Sequence, residues 1–388
     1  MPETNLQNLI VINLDGLGAR YLGPYGNTWV DTPAINHLAA QSVMFEHAVA
    51  ERQSAGQALR SLLSGKLALP DNGFTQAADL LKPFEDCWLV SDSESVSHSS
   101  LGDYFDNKLH VPTEVLRKAE DPTDTHLFTM FANFCEQVPN LQPPFVAVLN
   151  SESLTTLWDA PTSIAREFGD EEDPDPYSDP QAPSLVFESI DEADPDQLLS
   201  YSHAYAAQVK IVDLCIQLLI QSLEDRQLLS NSRLIFTSSF GYPMGEHGFV
   251  GPNSDCLYGE QTHVPLIVKD LAKSSGQRHQ PIFQTYRLGA ALGCHQAATT
   301  NAAQTPIAFC QGNNSRLVRT PVWSLVQSAD KQRLFIQPDD RWETNDAADR
   351  CPAVATALAD VIENEFDAAL DKGSVDFSVP EIALTPVE

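Results

Sequence analysis

The chain has 388 residues, more than the roughly 250–300 at which a single hydrophobic core stops growing, so we expect one large domain and one smaller one. Its 23 basic and 53 acidic residues give a formal net charge of −30, which disfavours nucleic acid and anionic membrane surfaces as partners. The seven cysteines are widely spread and contain no CxxC pair, so we expect reduced thiols and no disulfides.

The N-terminal residues MPETNLQN lack a basic segment followed by an apolar one, and no stretch approaches the roughly 18 apolar residues of a membrane span. These features predict a cytoplasmic protein.

The stretch 8–26, NLIVINLDGLGARYLGPYG, opens with apolar and amide residues that predict a buried parallel strand, because an unbroken β-branched run suits a strand covered on both faces. Asp15 follows where that strand must end, and Gly16 and Gly18 come directly after it. Ligands of open α/β sheets gather outside the carboxyl ends of the strands. The sequence therefore predicts the mouth of a site at Asp15.

The next segments predict a short helix capped by Thr32 with Pro33 at its first position, and then a strand over 44–48. A helix is predicted over 55–64, because Ser54 and Gln57 fit a capping box and Gly65 suits the left-handed end of a helix.

Strand and helix signals alternate along the rest of the chain. The apolar patterns predict strands at 87–90, 145–149, 234–237 and 264–268, helices at 126–138, 205–223 and 353–370, and a small antiparallel sheet within 316–337.

The segment 167–196 has twelve acidic residues and five prolines but no Lys or Arg, so it buries too little apolar surface to fold by itself. Its proline spacing and missing glycine turn do not match a calcium-binding EF-hand loop. We interpret it as a solvated insertion or loop, and a partner-binding module that uses it stays open as a function.

Three separated segments together resemble the sulfatases of the alkaline phosphatase superfamily. They are residues 9–50, the stretch within 241–268 that runs from GYPMGEHGFVG to THVPLIV, and LFIQPDDRWETNDAAD at 334–349. PPFVAVLNSESLTTLWDAP, 143–161, also lies where this family has a PFF…H-x-P-W segment. The resemblance implies an α/β fold: an alkaline-phosphatase/sulfatase-like three-layer sandwich with a large, mixed, mostly parallel sheet, and a small C-terminal α+β subdomain. We place the sulfatase-like domain at 1–280, the subdomain at 281–375 and a tail at 376–388.

The resemblance also implies the family's chemistry, which uses a divalent cation and a formylglycine made from Cys or Ser in a C-x-P-x-R motif. Asp15 matches the first metal-binding acid, but Gly16 stands in place of the second. Counting back from LLSG puts Ala55 at the nucleophile, Gln57 at the proline and Leu59 at the arginine.

The later motifs also depart from the family. Its S-D-H-G or S-D-N-G sequence is replaced by Ser238, Ser239, Phe240 and Gly241. The expected histidine falls at Thr155, and the expected lysine falls near 252–253. Only Asp15 and the pair Glu246–His247 remain from the family's set.

Each candidate residue has a structural alternative. Ser54 could be a substitute nucleophile but fits a helix cap better. His247 could bind a ligand or donate a proton, or it could hold loop carbonyls. Asp15 could hold a weak cation, but we favour a cap on the amides of Leu17 and Gly18.

Three further residues are judged in the same way. Arg60 is expected to be solvated or salt-bridged, and Glu260 and His263 are expected to shape their loop rather than catalyse. Loss of the nucleophile together with the metal ligands favours a sulfatase-like protein without sulfatase activity that keeps a binding or regulatory role.

The expected ligand pocket consists of Asp15, Gly16, Ser54, Ala55, Ser239, Phe240, Glu246 and His247. No confident catalytic residue and no cofactor are expected, and Ca²⁺ or Mg²⁺ would bind only if the site were functional. The alternative is an active sulfuric-ester or phosphoric-ester hydrolase that uses Ser54 with His247. A small anionic ligand at the free N–H groups of the helix after Ser54, or a protein partner, stays open.

Overall fold

The computed structural model describes residues 8–51, 55–67, 81–99, 101–113, 117–187, 192–270, 276–292, 306–329, 331–374 and 379–385. Its strands are β1 Asn8–Leu14, β2 Val43–Phe45, β3 Ala48–Val49, β4 Asp86–Ser91, β5 Asn107–His110, β6 Phe145–Ser151, β7 Leu185–Val186, β8 Ser232–Thr237, β9 Phe249–Val250, β10 Leu266–Lys269, β11 Gln277–His279, β12 Phe283–Gln284, β13 Ala308–Gln311, β14 Ser315–Arg319, β15 Trp323–Ser328 and β16 Gln332–Ile336. Its α-helices are α1 Pro33–Ala40, α2 Ala55–Ser64, α3 Glu94–Ser97, α4 His126–Gln137, α5 Ser153–Thr156, α6 Thr162–Ala165, α7 Pro195–Asp225, α8 Gly259–Thr262, α9 Arg287–Leu292 and α10 Pro352–Lys372.

The large sheet has eight strands in the order β11-β2-β10-β8-β1-β6-β4-β5. Strands β8, β1, β6, β4 and β5 run parallel, and β10 is antiparallel to both of its neighbours. The first strand of the chain therefore lies in the middle of the sheet, between β6 and β8. This position places the residues after β1 at the centre of the carboxyl edge.

Helices cover both faces of this sheet, because the side chains of β1 alternate between two cores. Ile10, Ile12 and Leu14 pack with α1, α4 and α7 on one face, whereas Leu9 and Val11 pack with α2 on the other. The result is the three-layer α/β sandwich that the sequence predicted.

The C-terminal part forms a separate layer in which the antiparallel sheet β13-β14-β15-β16 packs on α10. Residues 379–385, in the segment predicted as a tail, lie against this layer, and the indole Nε1 of Trp323 donates to the carbonyl of Thr385 at 3.1 Å. Strand β12 follows the expected boundary at 280 but pairs with β3. The two parts of the chain are thus joined by a strand pair as well as by side chains.

The predicted strands and long helices are present, and several features differ from the sequence interpretation. The predicted strand over 44–48 is divided into β2 and β3. Helix α7 begins at Pro195 rather than 205, because Asp194 caps it by accepting the amide of Asp196 at 3.0 Å. The acidic segment also contributes β7, which pairs with β9.

By length and composition alone, α7 is apolar enough to cross a membrane. The expectation that no segment approaches such a composition is therefore too strong. Most of its apolar window is buried in the fold, where Tyr205, Val209 and Ile216 belong to the main core.

Helix α1 is capped differently from the sequence interpretation. Thr32 lies at the N-cap position, but its hydroxyl accepts the amide of Gly23 at 3.0 Å instead of an amide of the helix. The carboxylate of Asp213 on α7 accepts the amides of Ala34 at 3.2 Å and Ile35 at 2.9 Å. A tertiary contact therefore supplies the cap, and it ties α1 to α7.

Replacing Asp213 tests this tertiary cap. Asp213→Ala leaves two amides without an acceptor, so we expect the free energy of unfolding to fall by about 1–3 kcal/mol in denaturant titrations. Asp213→Asn keeps one oxygen acceptor and should lose clearly less. Equal losses in the two variants would contradict a capping role.

Candidate functional site at the carboxyl edge of the sheet

The parallel strands bring four short segments together at the carboxyl edge. Asp15 follows β1, Asp92 and Ser93 follow β4, Glu152 follows β6, and Ser238 and Ser239 follow β8. The registers of the central strands set Asn13 opposite both Asn150 and Thr237. The predicted site mouth at Asp15 therefore has neighbours from three other strands.

Asp15 is fully buried, with 0% of its surface exposed. Its Oδ1 accepts from the amide group of Asn13 at 3.0 Å, whereas its Oδ2 has no hydrogen-bond partner. Burial, together with the charges of Glu152 and Asp92, raises the pKa of Asp15 to about 8 despite hydrogen bonds from Ser239 and Asn13. The carboxyl group is therefore mostly neutral at pH 7.

The favoured interpretation of Asp15 as a cap for the following amides is wrong. The amide of Leu17 donates to the carbonyl of Leu14 at 3.2 Å and to Ser238 Oγ at 3.3 Å. The amide of Gly18 donates to the hydroxyl of Tyr205 at 3.4 Å. These partners come from β8 and α7, which sequence spacing does not reveal.

Gly16 stands where the family would place its second acid, and the space around it is closed. Its φ is +89°, and a Cβ atom built there would lie 2.6 Å from Cγ2 of Thr155. Its amide donates to the carbonyl of Phe240 at 2.9 Å, and its carbonyl accepts from Tyr205 Oη at 2.6 Å. Thr155 therefore fills the volume that a side chain at residue 16 would need.

Two further carboxyl groups lie beside Asp15 and were missed in the sequence analysis. Asp92 accepts from Ser151 Oγ at 2.5 Å and from the amide of Glu152 at 2.8 Å. Glu152 accepts from Ser93 Oγ at 2.5 Å, and burial raises its pKa. The signal that could have found them resembles the one used for Asp15, an acid shortly after a predicted buried strand: Asp92 lies two residues beyond 87–90, and Glu152 lies three residues beyond 145–149.

The loop after β8 is held by hydrogen bonds within the loop and to the side chain of Asn13 on β1. Ser239 exchanges hydrogen bonds with the side chain of Asn13, with Asn13 Nδ2 2.9 Å from Ser239 Oγ. Ser238 Oγ donates to the carbonyl of Phe240 at 2.6 Å, and Phe240 is buried. Ser239 therefore lies near Asp15, and the carbonyl of Phe240 accepts the amide of Gly16 at 2.9 Å.

Glu246 and His247, which keep the family's spacing, form their hydrogen bonds and ion pair with residues other than Asp15. Glu246 forms an ion pair with Arg20 and accepts the amide of Met244 at 2.8 Å. Burial opposes ionisation of Glu246, but Arg20 holds its pKa below the ordinary value.

Both ring nitrogens of His247 are engaged. Nδ1 lies 2.6 Å from Glu260 Oε1, Nε2 lies 2.9 Å from the carbonyl oxygen of Glu343, and the ring stacks on Tyr258 at 3.7 Å. Burial works against protonation, but Glu260 and Glu343 raise the pKa of His247 above its ordinary value. The ring therefore bridges Glu260 and the backbone of Glu343, and it links the loop to the C-terminal subdomain.

Glu343 is a third residue that the sequence analysis missed. It is buried in a left-handed conformation with φ +53°, and its carboxylate pairs with Arg319 and accepts the amide of Gly259 at 2.7 Å. No local pattern marks this position, because its partners come from β14 and α8.

The predicted nucleophile region is described only from Ala55 onward. Ser54 lies outside the described residues, so its capping and nucleophile roles stay predictions, and of Ala55 only its place as the first residue of α2 is described. Arg60, expected at the surface or in an ion pair, is buried. His263 binds the carbonyl of Glu46 through Nε2 at 2.8 Å, and Glu260 holds His247.

The described residues at this edge do not fit the divalent cation that the resemblance implies. Such a hard cation prefers about six oxygen ligands, several of them anionic. Here Asp15 is mostly neutral, residue 16 has no side chain, and its space is filled by Thr155. Within the described ranges, no three His, Cys, Asp or Glu side chains form a group that could hold a metal.

The fold is that of the alkaline phosphatase superfamily. The sulfatase family model matches residues 93–295, more than half of the chain, so the chain belongs to the sulfatase family. The match begins after β1 and α2, so it excludes the segment that holds Asp15, Gly16 and Ala55.

Solved structures share the fold over nearly the whole chain. A phosphonate monoester hydrolase of Agrobacterium radiobacter superposes with a TM-score of 0.73 at 13% identity, covering 95% of this chain and 96% of that one. A 2-O GAG sulfatase gives 0.71 at 16% identity, with 97% and 96% covered. A phosphonate monoester hydrolase from Silicibacter pomeroyi gives 0.70 at 13% identity, with 94% and 95% covered. No curated protein gives a significant match.

Because Thr155 fills the space beside Gly16, even a small side chain at residue 16 should destabilise the fold. Gly16→Ala should lower the free energy of unfolding, because the new methyl group overlaps Thr155 Cγ2 and the backbone is left-handed. Gly26→Ala is the matched control, since Gly26 has φ +93° with no atom within 4 Å. We expect Gly16→Ala to lose about 1–3 kcal/mol more than the control.

A second substitution isolates the overlap. Thr155→Ser removes Cγ2 and keeps the hydroxyl that donates to the carbonyl of Glu152, so it should recover part of the loss caused by Gly16→Ala. Equal destabilisation at Gly16 and Gly26, with no recovery, would show that Thr155 does not close this space.

The pKa of Asp15 predicts a pH dependence of stability. Between its ordinary value near 3.8 and about 8, the folded protein holds a proton that the unfolded chain releases, so this group's contribution falls as pH rises through that interval and is level above it. Asp15→Asn should remove this fall and be more stable than wild type above pH 8, by a few kcal/mol at about 1.4 kcal/mol per pKa unit. Denaturant titrations from pH 5 to 9, with EDTA or CaCl₂, measure this difference in the free energy of unfolding. If CaCl₂ stabilises the wild type and Asp15→Asn loses that stabilisation, the carboxyl group is not neutral and metal-free.

Proposed function

We propose that this member of the sulfatase family does not hydrolyse sulfate or phosphate esters and keeps a binding or regulatory role. The observation that carries the proposal is the packing of Thr155 against Gly16 beside a buried Asp15 whose pKa is about 8. This arrangement leaves residue 16 without a side-chain ligand or room for one, and it leaves the Asp15 carboxyl group mostly protonated at pH 7. Without a bound dication as Lewis acid, a nucleophile and a bound ester anion would lack the main electrostatic stabilisation that this chemistry uses.

The nucleophile position supports the same conclusion. Alignment on LLSG places Ala55, which has no nucleophilic atom, where the family modifies a Cys or Ser. The alternative hydrolase would pair Ser54 with His247, but a general base needs a ring nitrogen free to accept a proton. Both nitrogens of His247 already bind oxygen acceptors, and its pKa is raised.

The role of the acidic segment and the location of the protein are proposed on narrower grounds. Acidic side chains are exposed over much of the described part of 167–196, which supports a surface available to a partner. We rank this role below ligand binding at the pocket. The six described cysteines are thiols outside any disulfide bond, which is consistent with the proposed cytoplasmic location.

The test combines metal content with turnover. The purified protein is analysed for bound metals and then assayed with aryl sulfate and aryl phosphate in EDTA and with added Ca²⁺, Mn²⁺ or Zn²⁺. We expect less than about 0.1 divalent metal per chain and no turnover above the rate without enzyme, because the site lacks an anionic oxygen cage.

The phosphonate monoester hydrolase of Agrobacterium radiobacter, purified and assayed in parallel, serves as the positive control. Turnover that Asp15→Asn or His247→Asn abolishes, accompanied by a stoichiometric metal, would overturn the proposal. Turnover that survives both substitutions would instead indicate a contaminating hydrolase, which a second purification route would remove.

A further inference from the structure

A buried carboxyl group lies where the large domain meets the C-terminal subdomain. Glu51 follows β3 and is 2% exposed. Its Oε1 accepts the amide of Tyr286 at 2.5 Å, and the hydroxyl oxygen of Thr285 lies 2.8 Å from Oε1 and 2.9 Å from Oε2. Its backbone carbonyl accepts the amide of Gln311 on β13 at 3.0 Å. One residue therefore joins β3 to the segment before α9 and to β13.

The segment that Glu51 holds packs on both parts of the chain. Tyr286 belongs to the core of the C-terminal subdomain, whereas Leu288 belongs with Leu62 of α2 to the core of the large sheet. A Cβ atom built on Gly289 would lie 2.1 Å from the carbonyl oxygen of Leu62, so α9 lies directly on the last turn of α2. A change at Glu51 therefore acts on a segment that is shared by the two cores.

Glu51 is also close to α2 along the chain. It lies four positions before Ala55, which is the first residue of α2 and aligns with the family's nucleophile. Helix α2 is thus linked to Glu51 from both ends, through the chain that leads into Ala55 and through α9.

The hydrogen-bond donors to the Glu51 carboxyl group among the described residues are neutral. They are the amide of Tyr286 and the hydroxyl of Thr285. Burial raises the pKa of Glu51 to about 7, against the effect of these hydrogen bonds and of the charge of Arg287 at the start of α9. The carboxyl group therefore changes its charge near neutral pH.

The other titratable side chains on the surrounding elements have contacts of their own. Strands β3 and β12 carry none. Cys310 on β13 lies in a separate core cluster, and the ring of Tyr286 lies in the core of the C-terminal subdomain. His263, whose backbone pairs with the end of β3, binds the carbonyl of Glu46. The charge of this junction therefore depends on Glu51 itself.

Both protonation states of Glu51 can form hydrogen bonds, but they differ in free energy. With a proton on Oε2, the carboxyl group donates to the hydroxyl oxygen of Thr285 and still accepts the amide of Tyr286 on Oε1. Without that proton, the Thr285 hydroxyl turns to donate, and a full negative charge stays buried. Opening of the junction brings this charge into water, so ionisation favours the open state.

We propose that Glu51 is a proton-dependent latch between the large domain and the C-terminal subdomain, whose protonated form holds Tyr286 and Gln311 on β3 and whose ionised form releases them. Between pH 4.5 and about 7 the closed junction keeps a proton that the open junction gives up. Opening therefore becomes easier as the pH rises through this interval and is constant above it. The latch uses no residue around Asp15 and does not rest on the absence of ester hydrolysis.

Hydrogen exchange of the full chain, read by mass spectrometry from pH 5 to 8 and divided by the intrinsic exchange rates, tests the latch. Peptides that contain the amides of Tyr286 and Gln311 should show an opening constant that rises about tenfold or more over this range. Peptides from β6 report opening of the whole sheet and serve as the internal reference.

Glu51→Gln imitates the protonated form, because its side-chain oxygen accepts the amide of Tyr286 and its NH₂ group donates to Thr285. This variant should keep the same peptides as protected at pH 8 as at pH 5. Glu46→Gln is the matched control, since Glu46 forms an ion pair with the exposed Arg278, and it should keep the response of the wild type.

Thr285→Val provides an independent check that leaves Glu51 in place. The Thr285 hydroxyl lowers the pKa of Glu51, so its loss should move the midpoint of the exchange response to higher pH. The infrared C=O band of protonated carboxyl groups should contain a component that Glu51→Gln lacks and that disappears with the same midpoint as the exchange response.

Three results would overturn the latch. They are an opening constant that does not change with pH relative to β6, the same pH response in Glu51→Gln as in the wild type, and a midpoint that Thr285→Val leaves unchanged or lowers. Loss of protection in Glu51→Gln at every pH would also overturn it, because Glu51 would then be a fixed structural link. If Glu51→Gln does not fold, the infrared band and the exchange midpoint of Thr285→Val decide the question.

Discussion

The packing of Thr155 on Gly16 is the contact on which the site depends. Gly16 takes a left-handed conformation, donates its amide to the loop after β8, and accepts the Tyr205 hydroxyl from α7. With Thr155 from α5 above it, the turn after β1 is held from three directions. Because this turn has no free volume, Asp15 cannot reach water, and burial keeps its carboxyl group mostly neutral.

The carboxyl groups around this turn are stabilised by hydrogen bonds and by a retained proton. Asp15, Asp92 and Glu152 lie near one another at the ends of adjacent strands, in a protein that already carries a net charge of −30. Their interaction is tolerable because hydroxyl and amide groups of Ser93, Ser151 and Asn13 donate to them and because one proton is retained. A family site of this kind would instead use a dication as the counter-charge.

The family residues that remain have other contacts. Glu246 pairs with Arg20, and His247 bridges Glu260 and Glu343, so both stabilise the junction between the large sheet and the C-terminal subdomain. Family membership and low-identity structural similarity describe the scaffold, and they leave the chemistry to be decided by the residues in the site. In this chain, the residues at the site are packed and hydrogen-bonded like those of a protein interior.

The sequence by itself determined the α/β architecture, the place of Asp15 after the central strand, and the substitutions at Gly16, Thr155 and Ala55, because apolar periodicity and motif spacing are local properties of a chain. Only the tertiary structure decided that Thr155 closes the space at Gly16, that Asp213 rather than Thr32 caps α1, and that His247 binds Glu343. Each of these contacts joins residues more than 90 positions apart, and its geometry depends on sheet register and helix packing.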